Sequence, residues 1–503
     1  MTHSKKIMRN SLFMFISRII TIVLGFVIRK IFIYYLGAEL LGLNSLYADL
    51  LGFLNLADMG LGIAVQYNLY KPIADGDNAK INSILNATKK IYNIVGFSII
   101  FVGCILSVFL QYFIKDNPFD LSFLRTVFIL NVISSASTYF FVHKRLFLCA
   151  KEDMHITNLV DMLISLSASI LKAVSLILFA NYYVFTIIGV VQAFGSNAML
   201  SVVCNKKYTG ISKGKVYQKE DMKLLLGNIK ELLPNKIGSF VFSNTDNLII
   251  SIFLGLTMVT CYTNYFSITN HLFMIAAMMA GIIKVSFGNM LQEDRTEEEH
   301  LLFLSSYQML QFFYSSICGV ALLCLLNPFV EMWYGKAFIM PVVFSVVLTL
   351  DFYVHSMYQP LSMMLEARGA FKTLKNQQII AVILNLLISI GLVHKVGILG
   401  PIVGTLCVDI LTMMFRIYSV IYLYYKSFLK KYICMIVKYM CVFLLEYGLI
   451  YCSLTVIELN NDFVGVMLKG MLVCSCVCLL NIAIFYKTSE FKYIISRFRK
   501  REM

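Results

Sequence analysis

Hydrophobic runs of about 20 residues recur from one end of this 503-residue sequence to the other, separated by short segments that carry most of the charge. An α-helix of that length spans the hydrocarbon core of a bilayer. Apolar residues make up 59% of the chain and charged residues only 14%, against roughly 25% charged in a typical soluble protein. The pattern excludes a soluble fold. It predicts an all-α integral membrane protein with about 14 transmembrane helices and little mass outside the bilayer.

Hydropathy sets the limits of each expected helix. The predicted helices are 12–34, 40–65, 91–113, 121–142, 156–180, 182–204, 231–254, 258–287, 301–326, 338–361, 378–393, 398–425, 432–456 and 463–485. The outward connections between them are all short. Any substrate must therefore be handled inside the helical bundle.

Lys and Arg divide unequally between the two alternating sets of connections. The set that includes both termini holds 30 of them, whereas the other set holds only Lys115, Lys336 and Lys395. Because basic residues accumulate on the cytoplasmic side, the asymmetry predicts a multi-pass protein of the cytoplasmic membrane with both termini in the cytoplasm. It also accounts for the net charge of +15, so no nucleic-acid partner is expected.

A basic segment after the sixth predicted helix divides the chain into two halves. We predict an N-terminal six-helix lobe at 1–204, a basic cytoplasmic linker at 205–230, a C-terminal six-helix lobe at 231–430, and two additional helices with a basic cytoplasmic tail at 431–503.

Weak internal similarity favours a six-plus-six repeat. A shift of 218 residues aligns Leu36-Gly37 with Leu254-Gly255 and Tyr47 with Tyr265, and a shift of 217 aligns Ala150 with Ala367. Such repeats are common in transporters, where they frame the substrate site.

Two arginines lie on one stripe of the first predicted helix. Arg18, Ile22, Gly25 and Arg29 follow helical spacing, which puts the two guanidiniums about 16 Å apart along one face. An arginine in a site of low dielectric suits a phosphate oxyanion. The alternative is that each side chain reaches out to its nearer membrane surface.

Polar residues inside two further helices indicate a hydrated interior. Asp161, Ser165 and Lys172 share one face of the fifth predicted helix, and the seventh carries Lys236 and Asn247 in an otherwise apolar run. We therefore take Arg18, Arg29, Lys236, Lys172 and Asn247 as candidate substrate-binding residues.

Two carboxylates are candidates for ion coupling. Asp246 and Asp351 are expected near the middles of predicted helices seven and ten, where each is either paired with another group or able to carry a proton or bind sodium. Asp409 and Arg416 are seven residues apart on one helix face and are expected to neutralise each other.

No motif of a soluble enzyme is present in the sequence. It contains no phosphate-binding loop, no pair of zinc ligands at helical spacing and no nucleophile elbow, and its 13 cysteines lie mostly in apolar runs. We predict no catalytic residue, no metal and no cofactor, apart from coupling to a proton or sodium gradient.

Three segments resemble a known family. They are LGAELLGLNSLYADLLGFLNLADMGLGIAVQYNLYKPIAD from Leu36, NTDNLIISIFLG from Asn244 and LEARGAFK from Leu365. The sequence resembles the polysaccharide-exporter branch, or Wzx-type oligosaccharide-lipid flippases, of the superfamily that also contains the MATE drug exporters and the lipid II flippases.

The resemblance implies a MATE-like bundle of two six-helix lobes with two C-terminal helices that offer a groove for a polyprenyl tail. The implied cargo is an oligosaccharide on undecaprenyl diphosphate, whose diphosphate would meet Arg18, Arg29 and Lys236. Membrane lipids, a polysaccharide polymerase and glycosyltransferases of the same pathway are the implied partners. The alternatives are a drug or lipid II exporter of the same fold, or a membrane polymerase or acyltransferase.

The charge asymmetry gives a first testable prediction. Cysteine labelling or reporter fusions should place residues 205–230 and the tail after Lys487 in the cytoplasm, and Asn117 and Asn460 outside. A tail found outside would mean an odd number of helices and would contradict the proposed architecture.

Overall fold

The computed structural model describes residues 3–55, 61–211, 218, 222, 245–291, 293, 296–456 and 461–499. The regular structure of these residues is helical throughout, without strands. The helices are α1 His3–Leu36, α2 Ala38–Leu54, α3 Leu61–Asp75, α4 Asn78–Val108, α5 Leu121–Ser137, α6 Val142–Ala150, α7 Met154–Phe179, α8 Tyr182–Lys207, α9 Asp246–Leu254, α10 Leu256–Met290, α11 Glu297–Tyr334, α12 Val342–Ala367, α13 Phe371–Val396, α14 Leu399–Ile417, α15 Leu429–Val456, α16 Phe463–Phe485 and α17 Ser489–Arg499.

Ten helical stretches of the described chain are long and apolar enough to cross a membrane. Their large apolar side chains are often exposed, as expected where the neighbouring solvent is lipid. The predicted fold class is confirmed, and the number of helices agrees approximately with the predicted fourteen.

Three boundaries differ from the predicted ones. The predicted helix 40–65 is divided, because α2 ends at Leu54 and α3 begins at Leu61. The predicted helix 121–142 ends at Ser137, and α6 starts after Phe141, whose φ of 66° interrupts the helix. Hydropathy also missed α17, because this helix is amphipathic and too polar for a spanning segment.

The chain forms two compact units, Met1–Thr260 and Cys261–Met503. In the first unit α1 packs along α7, and α8 packs on both α5 and α7; in the second, α12 packs on α11 and α14, and α13 lies against α14. The predicted lobes and the linker 205–230 stay a prediction, since most of 212–244 lies outside the described residues.

Helix limits in the two halves follow the proposed repeat. A shift of 217 residues carries both ends of α7, Met154 and Phe179, onto the ends of α13, and carries the start of α8 onto the start of α14. Ala150 and Ala367, which the sequence comparison aligned, are the last residues of α6 and α12. Because helix ends are set locally by each half, this agreement supports a common ancestry of the two halves.

The Leu-Gly turns of the repeat have the same backbone conformation. Gly37 has φ 85° and ψ 172°, and Gly255 has φ 90° and ψ 173°. L-residues rarely adopt this region, so glycine is required at both turns. Tyr47 and Tyr265, which follow the turns at equal spacing, are both fully buried, with edge contacts to phenylalanine rings 5.0 and 5.2 Å away.

A reciprocal contact in the first unit joins the starts of α2 and α10. A Cβ atom on Gly42 would lie only 2.0 Å from the carbonyl oxygen of Leu256, so the two backbones touch at this point. The Thr260 hydroxyl donates a 2.6 Å hydrogen bond to the carbonyl of Ala38. Under the 218-residue shift Gly42 corresponds to Thr260 and Ala38 to Leu256, so each contact is the repeat-related counterpart of the other.

The segment LEARGAFK forms the turn after α12. Gly369 has φ +71°, which lets the chain reverse into α13. The Arg368 guanidinium lies 4.1 Å from the centre of the Tyr424 ring and donates a 2.5 Å hydrogen bond to the Tyr425 hydroxyl. The role of this motif in the second unit is therefore structural, because it ties the end of α12 to the segment before α15.

Packing at Gly42 gives the second prediction. Gly42→Ala should lower thermal stability in detergent by about 1–3 kcal/mol, because the added methyl group clashes with backbone that cannot move away alone. Gly195→Ala in α8 is the matched control, since no atom lies within 4 Å of its Cβ position. Equal melting temperatures for the two variants would contradict the close approach of α2 and α10.

Candidate functional site

A polar cavity of about 720 Å³ lies inside the first unit, bounded by α2, α5, α6, α7 and α8. Its volume falls in the range of ~300–1,000 Å³ that is common for ligand pockets. Amide, hydroxyl and charged side chains line it, among them Asn44, Asn131, Ser134 and Gln192. A hydrated cavity among membrane helices can receive polar groups that hydrocarbon excludes.

An ion pair occupies one end of this cavity. The Arg145 guanidinium on α6 donates two hydrogen bonds, of 2.6 and 2.7 Å, to the two carboxylate oxygens of Asp161 on α7. Ser196 and Asn197 of α8 accept further hydrogen bonds of 2.9 Å from Arg145. The paired charges cross-link three helices and leave little free charge at this end.

Lys172 has a different environment in the same cavity. Its ammonium group donates a 3.0 Å hydrogen bond to the neutral amide of Gln192 and lies 5.2 Å from the centre of the Phe185 ring. Since the Arg145 charge is compensated by Asp161, the cavity lining carries an excess positive charge at Lys172. Such a site attracts an anion.

The loop before α7 is fixed to the end of α8. Asp153 accepts hydrogen bonds of 2.6 Å from the Lys207 ammonium and 2.5 Å from the Tyr208 hydroxyl. Burial alone would raise the pKa of Asp153, but these two hydrogen bonds and the lysine charge lower it below its ordinary value. The hairpin of α7 and α8, which forms one wall of the cavity, is thereby closed at this end.

The structure brings only some of the predicted binding residues together. Asp161, Ser165 and Lys172 line one cavity, as their shared helical face predicts. Arg29 is half-buried on α1, which packs along α7. Arg18 belongs to α1, but its side chain lies outside the description, and Lys236 lies outside the described residues altogether.

Asn247 belongs to a second polar group of the first unit. Its amide nitrogen donates a 2.6 Å hydrogen bond to Asp49 of α2, and Asp246 lies within electrostatic range of the same carboxylate. Asp246 is the first residue of α9, after a bend at Thr245, so its expected position in the middle of a helix is wrong. Two neighbouring carboxylates favour a shared proton or a bound cation.

Asp351 lies in the second unit, buried on α12 and within electrostatic range of Tyr358. One helical turn further along, His355 lies 2.8 Å from Asp409 of α14, and the Tyr358 hydroxyl donates a 3.2 Å hydrogen bond to the same carboxylate. The carboxylates of Asp351 and Asp409 thus stand in one polar region of this unit.

The expected neutralisation of Asp409 by Arg416 is wrong. Asp409 pairs with His355, and Arg416 donates a hydrogen bond to Gln377 of α13 instead. Seven residues place two side chains on one face, but two turns separate their ends, so partners on neighbouring helices are closer.

Sequence reasoning missed Arg145 and Asp49. The predicted fourth helix ends at 142, which leaves Arg145 in a connection, and its partner Asp161 lies on another helix. Asp49 stands within the Leu36–Asp75 segment that carries the family resemblance, so a carboxylate inside an apolar run is the available signal.

Comparison with solved structures shows what this chain is similar to. A structure of the lipid II flippase MurJ in an inward closed conformation covers 95% of this chain and 99% of its own, with a TM-score of 0.72 and 14% sequence identity. An inward-facing multidrug resistance MATE family transporter of the MOP superfamily covers 82% of this chain and 96% of its own, with a TM-score of 0.65 and 14% identity.

A further similar structure is a MOP superfamily transporter from Pyrococcus furiosus, which covers 85% of this chain and 96% of its own at a TM-score of 0.53 and 15% identity. No family profile and no curated protein matches the sequence. The chain therefore has the MATE-like fold shared by flippases and exporters of this superfamily.

The ion pair in the cavity gives the third prediction. Its side chains are 27% and 38% exposed, which places it between surface and fully buried pairs. A double-mutant cycle of Arg145→Ala and Asp161→Ala should give a coupling energy of about 1–3 kcal/mol in detergent unfolding. The exposed pair of Lys336 and Glu331, 3.9 Å apart, is the control and should give less than about 1 kcal/mol. Additive effects at Arg145 and Asp161 would contradict the pairing.

Proposed function

We propose that this protein flips undecaprenyl-diphosphate-linked oligosaccharide repeat units from the inner to the outer leaflet of the cytoplasmic membrane, by alternating access, for surface polysaccharide assembly. The fold is that of membrane flippases and exporters. The three segments that resemble the oligosaccharide-lipid branch support this cargo over others.

The polar cavity with an uncompensated lysine carries the proposal. A glycan with a diphosphate presents hydroxyl groups and negative charge, and neither enters hydrocarbon unaided. The amides and hydroxyls of the cavity suit the hydroxyl groups, and Lys172 suits the anionic part. The polyprenyl tail stays in lipid throughout.

We assign the diphosphate to a set of cationic side chains. Lys172 and Arg29 belong to α7 and α1, which pack against each other, so both serve the same wall of the first unit. Arg18 and Lys236 complete the set by the family resemblance. Asn247, bound to Asp49, holds the adjoining end of α2.

Ion coupling is assigned to Asp246 and Asp351. Asp246 shares its surroundings with Asp49, so one proton or one sodium ion between these carboxylates would relieve their repulsion. Asp351 lies in the same unit as the His355–Asp409 pair, which can also take up a proton. Both termini are assigned to the cytoplasm, and a polymerase and glycosyltransferases of the same pathway are the proposed partners.

Lipid II is the strongest alternative cargo, because it too presents a glycan on a diphosphate and one similar structure is a lipid II flippase. Depletion of the lipid II flippase in a host that expresses this chain separates the two. Rescue of growth would identify lipid II as cargo, whereas the proposal expects no rescue. Cationic drugs fit poorly beside the positive charge of Lys172, and the similar structures are transporters and flippases, which disfavours a polymerase or acyltransferase.

Substitution of the cationic residues gives the fourth prediction. Lys172→Gln and Arg18→Ala should insert normally but nearly abolish export, since loss of one partner in a desolvated charge contact costs ~2 to 5 kcal/mol, or roughly thirty- to several-thousand-fold. Arg18→Lys should keep partial activity because it retains the charge but not the fork.

The measurement is surface glycan relative to the amount of protein in the membrane. Lys469→Gln is the matched control, because this lysine also lies on an apolar helix but binds Asn461 at an exposed end. Normal export by both Lys172→Gln and Arg18→Ala would refute the assigned diphosphate contacts.

A further inference from the structure

Glu446 is a buried acid that the proposed transport path does not use. It lies on α15 with an exposed fraction of 0%, and neither carboxyl oxygen has a hydrogen-bond partner among the described residues. An ionised carboxylate without a cation is strongly unfavourable in such a place. The geometry therefore requires the neutral carboxylic acid, which is a bound proton.

The surroundings of Glu446 are polar but uncharged. Ser316 of α11 is the neighbouring hydroxyl, and it accepts a 2.8 Å hydrogen bond from the Asn481 amide of α16. The other amide atom, Asn481 Oδ1, and the Tyr353 hydroxyl of α12 are buried and also lack partners within the described chain. Acceptors for the acidic hydrogen are thus available on two neighbouring helices.

A series of phenols leads from Glu446 to a cavity. Tyr353 lies within electrostatic range of both Glu446 and Tyr439, and Tyr439 lies within range of Glu490 on α17. Tyr439 and Glu490 line a cavity of about 230 Å³ at the end of α16. Tyr439 and Glu446 are seven residues apart on α15, so they share a helix face about 10 Å apart.

We propose that Glu446 is a proton-binding site, loaded from this cavity past Tyr439 and Tyr353, whose proton is exchanged during the transport cycle. The site lies on the two helices that follow the repeat, apart from Asp246 and Asp351. Its proton balance is simple: the carboxylate oxygen gains or loses one proton, and the cavity water supplies or accepts it.

The other titratable groups on the surrounding helices are mostly thiols and phenols. They are Cys318 and Cys324 on α11; Asp351, Tyr353, His355 and Tyr358 on α12; Lys438, Tyr439 and Tyr447 on α15; and Cys474, Cys476 and Cys478 on α16. Tyr353 is the group within electrostatic range of Glu446, and Lys438 lies instead over the Phe485 ring at 4.8 Å. No lysine or arginine in the described chain forms an ion pair with Glu446.

Infrared spectroscopy of the purified full-length protein tests the site directly. At neutral pH a protonated carboxyl band that shifts in D₂O should be present, and Glu446→Gln should remove one component of it. Glu490→Gln, at the exposed end, should leave that component in place. An unchanged carboxyl band in Glu446→Gln would overturn the site, and this result does not depend on the identity of the cargo.

The route and the coupling have their own readouts. Tyr439→Phe and Tyr353→Phe keep the ring packing and should slow hydrogen–deuterium exchange of the carboxyl band several-fold, whereas Tyr447→Phe should not. Equal exchange in all three variants would overturn the route. Coupling rests on the proposed function: surface glycan export should lose its pH dependence in Glu446→Gln and keep it in Glu446→Asp, and an unchanged profile in Glu446→Gln would overturn it.

Discussion

Hydrocarbon offers no hydrogen bonds, so every polar group in the spanning part of this chain must find its partner inside the protein. Helices satisfy the backbone, and side chains then meet one another across helices. Arg145 and Asp161 illustrate this condition, because four hydrogen bonds satisfy the guanidinium at the junction of α6, α7 and α8. The same condition makes an incompletely satisfied group informative, since it persists only where a ligand, water or proton completes it.

Two side chains stand out by this criterion. Lys172 holds its charge against neutral partners beside a large cavity, which suits an anionic cargo. Glu446 has no room for a cargo and, among the described residues, no hydrogen-bond partner, which suits the smallest ligand, a proton. The difference in space, more than the difference in charge, separates a substrate site from a proton site in this fold.

The sequence was sufficient for features that depend on one helix or one turn. Hydropathy found 463–485 at both ends, helical spacing put Asp161 and Lys172 on one face, and the Leu-Gly pairs marked turns that require positive φ. It failed where two helices meet. Asp409 pairs with His355 rather than Arg416, and Arg145 with Asp161, because spacing along one helix carries no information about which neighbour lies opposite.

The two halves diverge where function requires it. Helices α13 and α14 of the second unit pack closely, because glycines at 400 and 404 let α14 approach Val393 and Ser389 directly. The 217-residue shift carries these glycines onto Tyr183 and Ile187 of α8, and Ser389 onto Lys172. Larger residues therefore separate α7 from α8 in the first unit, where the cavity opens beside Lys172. One ancestral hairpin thus serves as a tight support in one unit and as the wall of a charged cavity in the other.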